Sequence, residues 1–214
     1  MKANMTIQHV LWDWNGTLLD DTLASVNAIN TLLARRGLDG IDMTRYRATF
    51  GFPVIDFYRQ LNFPLERENW DSLAREFHDL FLTEPSLRLQ DGARDVLAQV
   101  RRRGLPQSVL SASEQGLLTR MLTDFGIQPY FAEVFGVDNF HGQSKLALGQ
   151  NLLRKLALPP GQVLLVGDTL HDAEVAQALG IRCVLVAQGH QSVPRLEQAG
   201  VPIVADLAGL SGLL

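Results

Sequence analysis

Three polar side chains, Asp13, Ser111 and Asp168, each stand at the end of an apolar run that is short enough to be a buried strand. The turn signal Asn15-Gly16 follows the first of them. A carboxylate in such a place is held by a rigid element, and the amide groups of the turn can point at an anion. We therefore expect these residues to form a site that binds an anion next to fixed carboxylates.

Further residues could complete a metal and phosphate site. Asp172 lies four residues after Asp168, and a group of carboxylates there would suit Mg²⁺, which favours one or two carboxylates plus waters and phosphate oxygens. Asp172 alone could equally be a helix N-cap, but that does not explain the acid at Asp168. Lys145 alone would be an ordinary surface lysine, whereas beside aspartates it would neutralise charge on a phosphoryl group. Ser113 competes with Ser111 for the role of a hydroxyl that binds a phosphoryl oxygen.

Alternating strands and helices are predicted to position these side chains. From about residue 87, short apolar runs alternate with segments of helical periodicity. The predicted strands are 7–13, 108–111, 133–137, 162–167, 181–186 and 202–205, and the predicted helices are 92–103, 117–125, 145–156, 172–179 and 193–199. This alternation indicates an α/β fold with a parallel sheet covered on both faces, in which ligands bind at the carboxyl ends of the strands. The site is therefore expected at that edge of the sheet.

The segment between the first strand and the rest has a different character. It lacks a comparable strand and shows helical periodicity on both sides of residues 50–53 and over residues 65–82. Aromatic and aliphatic residues of the last stretch form a stripe that we interpret as helix packing. We predict a core made of residues 1–18 and 87–214, and a helical insert, residues 19–86, that acts as a lid.

The composition excludes several classes of protein. The chain has 214 residues and a formal net charge of -4, which disfavours a nucleic-acid partner. The lone cysteine, Cys183, sits in an apolar run and is interpreted as a packing residue in a reducing compartment. The N-terminus lacks a signal-peptide core, and no apolar stretch has the length of a membrane span. We therefore expect a cytoplasmic protein without a membrane partner.

Taken in order, these motifs resemble those of the haloacid dehalogenase superfamily. The first motif of that family, Asp-x-Asp-Gly-Thr, reads Asp13-Trp14-Asn15-Gly16-Thr17 here. Ser111 matches the second motif, Lys145 the third, and Gly167-Asp168 with Asp172 the fourth. The chain looks most like the phosphoglycolate phosphatase and beta-phosphoglucomutase group. The resemblance implies a Rossmann-like core with a parallel sheet flanked by helices, and a helical cap inserted after the first core strand.

The resemblance also implies an activity, that of a Mg²⁺-dependent phosphatase acting on a small phosphorylated metabolite through an aspartyl-phosphate intermediate. Asp13 would be the nucleophile, and Ser111 and Lys145 would stabilise the phosphoryl oxygens. The metal ligands would be Asp13, the backbone carbonyl of Asn15, Asp168 and, through a metal-bound water, Asp172. Substrate-binding roles are implied for Thr17, Arg47, Gly51 and Ala112. The enzyme would be a monomer or a homodimer.

Asn15 departs from the family's pattern. At this position the family's phosphatases carry an Asp that protonates the leaving oxygen and then activates water, whereas the amide of Asn15 can donate a hydrogen bond but cannot exchange a proton. General acid–base catalysis contributes roughly 10²- to 10⁴-fold in rate. A slow phosphatase, or one that uses His171, Asp20 or Asp21 as its acid, is therefore the first interpretation.

Three other interpretations remain open. A phosphonoacetaldehyde hydrolase would carry an alanine at position 15 and a lysine in the cap, but the helical insert contains no lysine. A dehalogenase would carry an aromatic residue at that position and would need no Mg²⁺. A non-catalytic protein would bind a phosphorylated metabolite in the presence of Mg²⁺ without turnover. The retained residues Asp13, Lys145, Asp168 and Asp172 favour a catalyst.

Arginines of the helical insert are candidates for substrate selection. Arg47 and Arg59, with Phe50 and Gly51, lie in the part of the insert nearest to the specificity loop of the related enzymes. An arginine there could bind the carboxylate of phosphoglycolate. Both arginines could equally be ordinary surface residues of helices.

Overall fold

The computed structural model describes residues 6–141 and 145–213, so residues 1–5, 142–144 and 214 of the predicted core lie outside it. The strands are β1 (His9–Trp12), β2 (Leu19–Asp20), β3 (Arg88–Leu89), β4 (Gln107–Glu114), β5 (Glu133–Val137), β6 (Val163–Gly167), β7 (Arg182–Val186) and β8 (Ile203–Val204). The helices are α1 (Thr22–Arg35), α2 (Met43–Thr49), α3 (Val54–Gln60), α4 (Trp70–Leu82), α5 (Ala93–Arg102), α6 (Gln115–Asp124), α7 (Leu146–Leu156), α8 (Leu170–Leu179) and α9 (Val193–Leu196). None of the described helices has both the length and the apolar character needed to cross a membrane.

In the described part of the chain, six parallel strands form one sheet in the order β5-β4-β1-β6-β7-β8. β1 lies inside it because its residues are apolar on both faces: Val10 and Trp12 pack into one hydrophobic cluster and Leu11 into another. Cys183 of β7 is buried in the second cluster. The strand order reverses at β1, which is where ligands bind in such sheets. The predicted α/β fold with a parallel sheet flanked by helices is confirmed.

The strand β4 is longer than the sequence predicts. The prediction of a strand over residues 108–111 is wrong at its end, because β4 continues past Ser111 to Glu114. Its pairing with β5 shifts register along this extension. Gly136 of β5 allows the close approach, since a Cβ at that position would lie 2.7 Å from the backbone oxygen of Ser113. Both serines therefore stand on an irregular strand end, where local periodicity gives no signal.

A small antiparallel ribbon joins the helical insert to the rest of the chain. It consists of β2 and β3, which pair Leu19 with Leu89 and Asp20 with Arg88. An ion pair of 2.6 Å between Asp20 and Arg88 accompanies this pairing. The ribbon is not predicted from the sequence, because two residues per strand are too few to show a period.

The helices α1 to α4 pack around a hydrophobic cluster of their own, which includes Ile29, Tyr46, Phe57 and Leu73. The predicted helices on both sides of residues 50–53 are α2 and α3. The apolar stripe of the last predicted helix is part of α4, where Leu73 is buried against this cluster. The division into a core and an insert that acts as a lid remains a prediction.

Candidate active site

Three buried carboxylates meet at the carboxyl edge of the sheet. Asp13 follows β1, and its backbone nitrogen donates to the carbonyl of Val166 on β6 (2.9 Å). Asp168 follows β6 directly, and Asp172 lies in the first turn of α8. One oxygen of each carboxylate lies within 4.8 Å of the corresponding oxygens of the other two. The ends of β1 and β6 and the start of α8 thus bring Asp13 close to two acids that are far from it in the sequence.

Lys145 is the cation of this cluster. Its Nζ donates to Asp13 Oδ1 and lies 2.6 Å from Asp172 Oδ1, and its side chain is 2% exposed. Burial alone would lower the pKa of Lys145, but the charges of both carboxylates raise it above its ordinary value. Burial alone would raise the pKa of Asp172, but Lys145 lowers it below its ordinary value. The ammonium group is therefore held charged beside Asp13.

Asp172 is held by the start of α8. The N-cap of this helix is Thr169, so the interpretation of Asp172 as an N-cap is wrong. Asp172 Oδ2 accepts hydrogen bonds from the Thr169 backbone nitrogen (3.0 Å) and hydroxyl (2.7 Å) and from the Asp168 nitrogen (3.2 Å). This capping box fixes one carboxylate oxygen and leaves Oδ1 for Lys145.

Asp168 is enclosed by backbone. The His190 nitrogen donates to Asp168 Oδ2 (2.7 Å), and the Thr17 hydroxyl donates to Oδ1 (3.2 Å). Gly16 and Gly189 make room for this side chain, because a Cβ at either position would lie 2.2 or 2.1 Å from Oδ2. Burial raises the pKa of Asp168 to about 8, although the charge of His190 opposes the shift.

The donor set of the cluster fits a divalent cation. Burial raises the pKa of Asp13 to about 7, with Lys145 opposing the shift. The neighbouring carboxylates add to the raised pKa of Asp13 and of Asp168, and a bound Mg²⁺ would favour the ionised form of both. Oxygen ligands of this kind are the ones Mg²⁺ favours. The predicted ligand set of Asp13, Asp168, Asp172 and the carbonyl of Asn15 is thus chemically suitable and stays a prediction.

The side chain of Asn15 is fixed at both of its polar atoms. Nδ2 donates to Asp21 Oδ2 (2.6 Å), and Oδ1 accepts from the Ser113 hydroxyl (2.5 Å). Asp21 also accepts a hydrogen bond from the Gly16 nitrogen (2.7 Å). Ser113 thus contacts the first motif, whereas Ser111 accepts a hydrogen bond from the Ser113 nitrogen (3.0 Å). The amide of Asn15 bridges β4 and the entry to the helical insert.

A buried chain of polar groups continues from Asp21. Its Oδ1 lies 3.1 Å from His190 Nε2, and His190 Nδ1 lies 2.9 Å from the hydroxyl of Tyr46 on α2. Burial lowers the pKa of His190, but the charge of Asp21 and the hydrogen bond to it raise the pKa to about 9. Neither His190 nor Tyr46 is predicted from the sequence. Residues 187–189 separate His190 from the end of β7, so the rule that selects residues directly after an apolar strand does not find it, and no local pattern distinguishes Tyr46.

A cavity of about 140 Å³ lies over these groups. Its lining includes the predicted residues Asp13, Asn15, Ser111, Ala112, Lys145, Asp168 and Asp172. Two of the candidate acids, Asp21 and His171, also line it. The structure therefore brings the predicted nucleophile, metal ligands and phosphoryl-binding groups to one space.

Other predicted site residues are not in the lining of this cavity. Thr17 supports Asp168, and Gly51 lies beside the Arg195 side chain. Arg47 donates to a backbone carbonyl in the loop after β7 (3.0 Å). Arg59 is exposed. The expectation that an arginine of the insert binds a substrate carboxylate is not favoured by this arrangement.

Known proteins share this chain's fold and part of its sequence. Residues 10–186 match the family described as haloacid dehalogenase-like hydrolase. The chain is 26% identical over 204 residues to a probable phosphatase, IndB, from Dickeya dadantii, which covers 92% of this chain and 88% of that protein. It is 26% identical over 211 residues to a phosphoglycolate phosphatase from Pseudomonas fluorescens, covering 94% of this chain and 77% of that protein.

A solved structure agrees with the fold over nearly its whole length. A haloacid dehalogenase-like family hydrolase from Streptococcus pneumoniae superposes with a TM-score of 0.83 at 18% sequence identity, covering 97% of this chain and 98% of that one. The resemblance inferred from the four sequence motifs is confirmed.

Proposed function

Because the chain belongs to the haloacid dehalogenase-like hydrolase family, we propose that it is a Mg²⁺-dependent phosphatase that hydrolyses a small phosphorylated metabolite through an aspartyl-phosphate on Asp13. One observation carries the proposal. Asp13 is buried at the end of β1, contacts the ammonium group of Lys145 and shares a cluster with Asp168 and Asp172. A carboxylate paired with a fixed cation beside further acids is suited to attack a phosphoryl group whose charge must be stabilised.

The proposed reaction has two steps at phosphorus. An oxygen of Asp13 forms a bond to phosphorus, and the bond between phosphorus and the leaving oxygen breaks. Water then attacks the same phosphorus, the bond to Asp13 breaks, and phosphate is released with the carboxylate restored. Lys145 opposes the effect of burial on the pKa of Asp13 and so favours the ionised carboxylate that attacks in the first step, and it offsets negative charge on the phosphoryl oxygens.

Four groups would hold the metal: the carboxylates of Asp13, Asp168 and Asp172 and the backbone carbonyl of Asn15. Bound Mg²⁺ would withdraw negative charge from the phosphoryl oxygens. The packing around Asp168 by Gly16 and Gly189 supports this proposal, because a carboxylate that cannot rotate away is a preorganised ligand.

The proton for the leaving oxygen must come from a group other than Asn15. Asp21 lies 2.6 Å from Asn15 Nδ2 and lines the cavity, so it is the acid closest to the position that the family fills with an aspartate. His171 also lines the cavity, whereas Asp20 pairs with Arg88 at the ribbon. We propose Asp21 as the replacement acid, which receives its proton from His190 Nε2, 3.1 Å from Asp21 Oδ1, and serves less effectively than an acid at position 15 would.

A second candidate function is favoured by Asn15 itself. A protein with this fold that binds a phosphorylated metabolite without turnover would need the cluster but no proton donor. The hydrogen bonds from Asn15 to Asp21 and from Ser113 to Asn15 hold the amide in place and give it no route to exchange a proton.

The experiment that separates these functions is a panel of phosphate monoesters, assayed for phosphate release with Mg²⁺ and with a chelator. Asp13→Asn is compared with Asp20→Asn, which makes the same change in an acid outside the cavity. Phosphate release that needs Mg²⁺, persists in Asp20→Asn and is lost in Asp13→Asn supports the phosphatase. Mg²⁺-dependent binding of the esters without release supports the second candidate.

The proposed setting is the cytoplasm, with the enzyme acting as a monomer or a homodimer on a small-molecule substrate. The lone cysteine, Cys183, is consistent with a reducing compartment. It is buried and serves packing, and burial raises the pKa of its thiol above the ordinary value.

A further inference from the structure

The helical insert contributes mainly aromatic rings to the lining of the cavity. The insert wall, which we define as Phe50, Phe52, Phe57, Trp70 and Phe77, is contributed by α3, α4 and the segment before α3. The apolar stripe of α4 is thus more than helix packing, because its Trp70 and Phe77 also face the cavity. Rings of this kind contact a ligand through dispersion and through the release of water from apolar surface.

The charged cations that line the cavity already have partners, and burial lowers the pKa of the two other lining histidines, His78 and His171. Lys145 contacts Asp13 and Asp172, and the imidazole of His190 lies 3.1 Å from Asp21. No arginine is present among the described lining residues.

The arginines near the junction of insert and core donate hydrogen bonds to backbone carbonyls instead. Arg47 donates to the Gln188 carbonyl (3.0 Å), and Arg195 donates to the Phe50 carbonyl, which also accepts from Gln191 Nε2 (2.9 Å). A substrate carboxylate in this cavity would therefore lose its water without gaining a cation, which is a strongly unfavourable exchange.

The cavity leaves room for a small alcohol part. Its volume of about 140 Å³ spans both the insert wall and the groups proposed to bind the phosphate, so the alcohol part of the substrate occupies only a portion of it. A single uncharged ring matches the insert wall in polarity.

We propose that the substrate is a phosphate monoester whose leaving group carries an uncharged aromatic ring, which packs against the insert wall. This inference rests on the proposed phosphatase function. It excludes phosphoglycolate and other carboxylated phosphates as good substrates, because the insert wall offers them no counter-charge.

The test compares three primary alkyl phosphates with Mg²⁺ present: benzyl phosphate, n-propyl phosphate and 2-phosphoglycolate. All three release a primary alkoxide, so their intrinsic reactivities are closer than those of aryl and alkyl esters. We expect kcat/KM for benzyl phosphate to exceed that for n-propyl phosphate by about 10- to 100-fold, mainly through a lower KM. Phosphoglycolate should be the poorest of the three.

Two variants change residues of the insert that line the cavity, and one matched variant changes a residue outside the lining. Phe77→Ala should lower the ratio of benzyl to n-propyl kcat/KM toward one, because the ring contact is lost. Val54→Arg places a cation at a partly buried lining position at the start of α3, and should raise the ratio of phosphoglycolate to benzyl kcat/KM. Phe131→Ala removes the same atoms from a partly buried ring outside the lining and should leave both ratios unchanged.

The ratio of kcat/KM for two substrates of one variant does not depend on the fraction of enzyme that is folded. A destabilised Phe77→Ala variant therefore still measures the contribution of the ring. If the esters are hydrolysed but kcat/KM shows no preference for benzyl phosphate, or a preference for phosphoglycolate, the inference is wrong and the proposed phosphatase function is retained. Equal ratios in Phe77→Ala and Phe131→Ala also overturn it. Failure of all three esters to release phosphate overturns the proposed function, and the inference with it.

Discussion

The core and the helical insert contribute opposite kinds of surface to the same cavity. From the core, strand ends supply Asp13, Ser111 and Asp168, whose polar atoms lie near one another because parallel strands end at one edge of the sheet. From the insert, helices supply the rings of the insert wall. The topology of the sheet therefore determines where the proposed reacting groups lie. The side chains on the inward faces of the insert helices determine which substrate can contact those groups. Chemistry and substrate selection can change independently in such a molecule.

Replacing Lys145, the ammonium group beside Asp13 in the cavity, should have the largest effect. Lys145→Met leaves Asp13 and Asp172 buried without their counter-charge, which costs about 3–5 kcal/mol in the free energy of unfolding. The turnover of every ester should fall by about 10³-fold, since a charge that stabilises the transition state is lost. Chemical denaturation and steady-state kinetics measure the two effects.

The matched control for Lys145→Met is Lys155→Met. The side chain of Lys155 is 59% exposed and pairs with Glu133 on the surface, so neither stability nor turnover should change measurably. Similar effects of the two substitutions on stability and turnover would contradict the specific role of Lys145.

Restoring an acid at position 15 should have the next largest effect. In Asn15→Asp the new carboxyl group meets Asp21 at hydrogen-bond distance, so the two acids share a proton that can pass to the leaving oxygen. We expect turnover of benzyl phosphate to rise by about 10²-fold, at the lower end of what general acid catalysis contributes. Phenyl phosphate, whose leaving group needs less help, should gain much less.

An unchanged or lower rate for both esters in Asn15→Asp, with Mg²⁺ still bound, would mean that the wild-type site already has an effective acid. The variant Asp21→Asn then identifies it, since loss of activity there would assign that role to Asp21.

A buried polar pair away from the site provides a contrast in stability rather than rate. His9 of β1 is buried, and its Nε2 lies 2.9 Å from the Ser108 hydroxyl. Burial lowers the pKa of His9 to about 4, although the charge of Glu133 opposes this. As the pH falls below about 6.5, His9 is protonated in the unfolded chain but stays neutral in the folded chain. The free energy of unfolding therefore decreases until the pH reaches about 4.

The variant His9→Gln isolates this effect. The free energy of unfolding of the wild type minus that of His9→Gln should decline by up to about 1.4 kcal/mol per pH unit across that window. Denaturation curves at several pH values measure it, and kcat at neutral pH should be unaltered. A constant difference would mean that His9 titrates normally in the fold.

The smallest effect is expected at Arg47, where the insert meets the loop after β7. Arg47→Met removes a hydrogen bond to the Gln188 carbonyl outside the cavity lining, so KM for phosphoglycolate and for benzyl phosphate should change by the same factor, about twofold or less. Steady-state kinetics on both esters measures it. A selective rise for phosphoglycolate would return the carboxylate-binding role to Arg47.

The sequence is informative about the core because position and chemistry coincide there. Asp13 and Asp168 could be predicted as neighbours since each directly follows a buried apolar strand. The end of β4 could not be predicted, because its register shift depends on Gly136 in another strand. His190 could not be predicted by the same rule, because residues 187–189 separate it from the end of β7.

The sequence is less informative about the insert because burial there is set by packing between helices. Phe77 belongs to a stripe that any amphipathic helix would show, and its local pattern does not say which ring reaches a cavity. Arg47 looks like a ligand for an anion by its type alone. Its hydrogen bond to the loop after β7 depends on a contact between residues about 140 positions apart, which no local pattern contains.

The most direct measurement tests for the proposed covalent intermediate on Asp13. The enzyme is mixed with benzyl phosphate and Mg²⁺, quenched in acid and reduced with borohydride, which converts an aspartyl-phosphate to homoserine, and the peptides are sequenced by mass spectrometry. We predict homoserine at position 13 in the wild type and in Asp20→Asn, with no modification in Asp13→Asn. Phosphate release with unmodified Asp13, or reduction at a different aspartate, would contradict the assignment of Asp13 as the nucleophile.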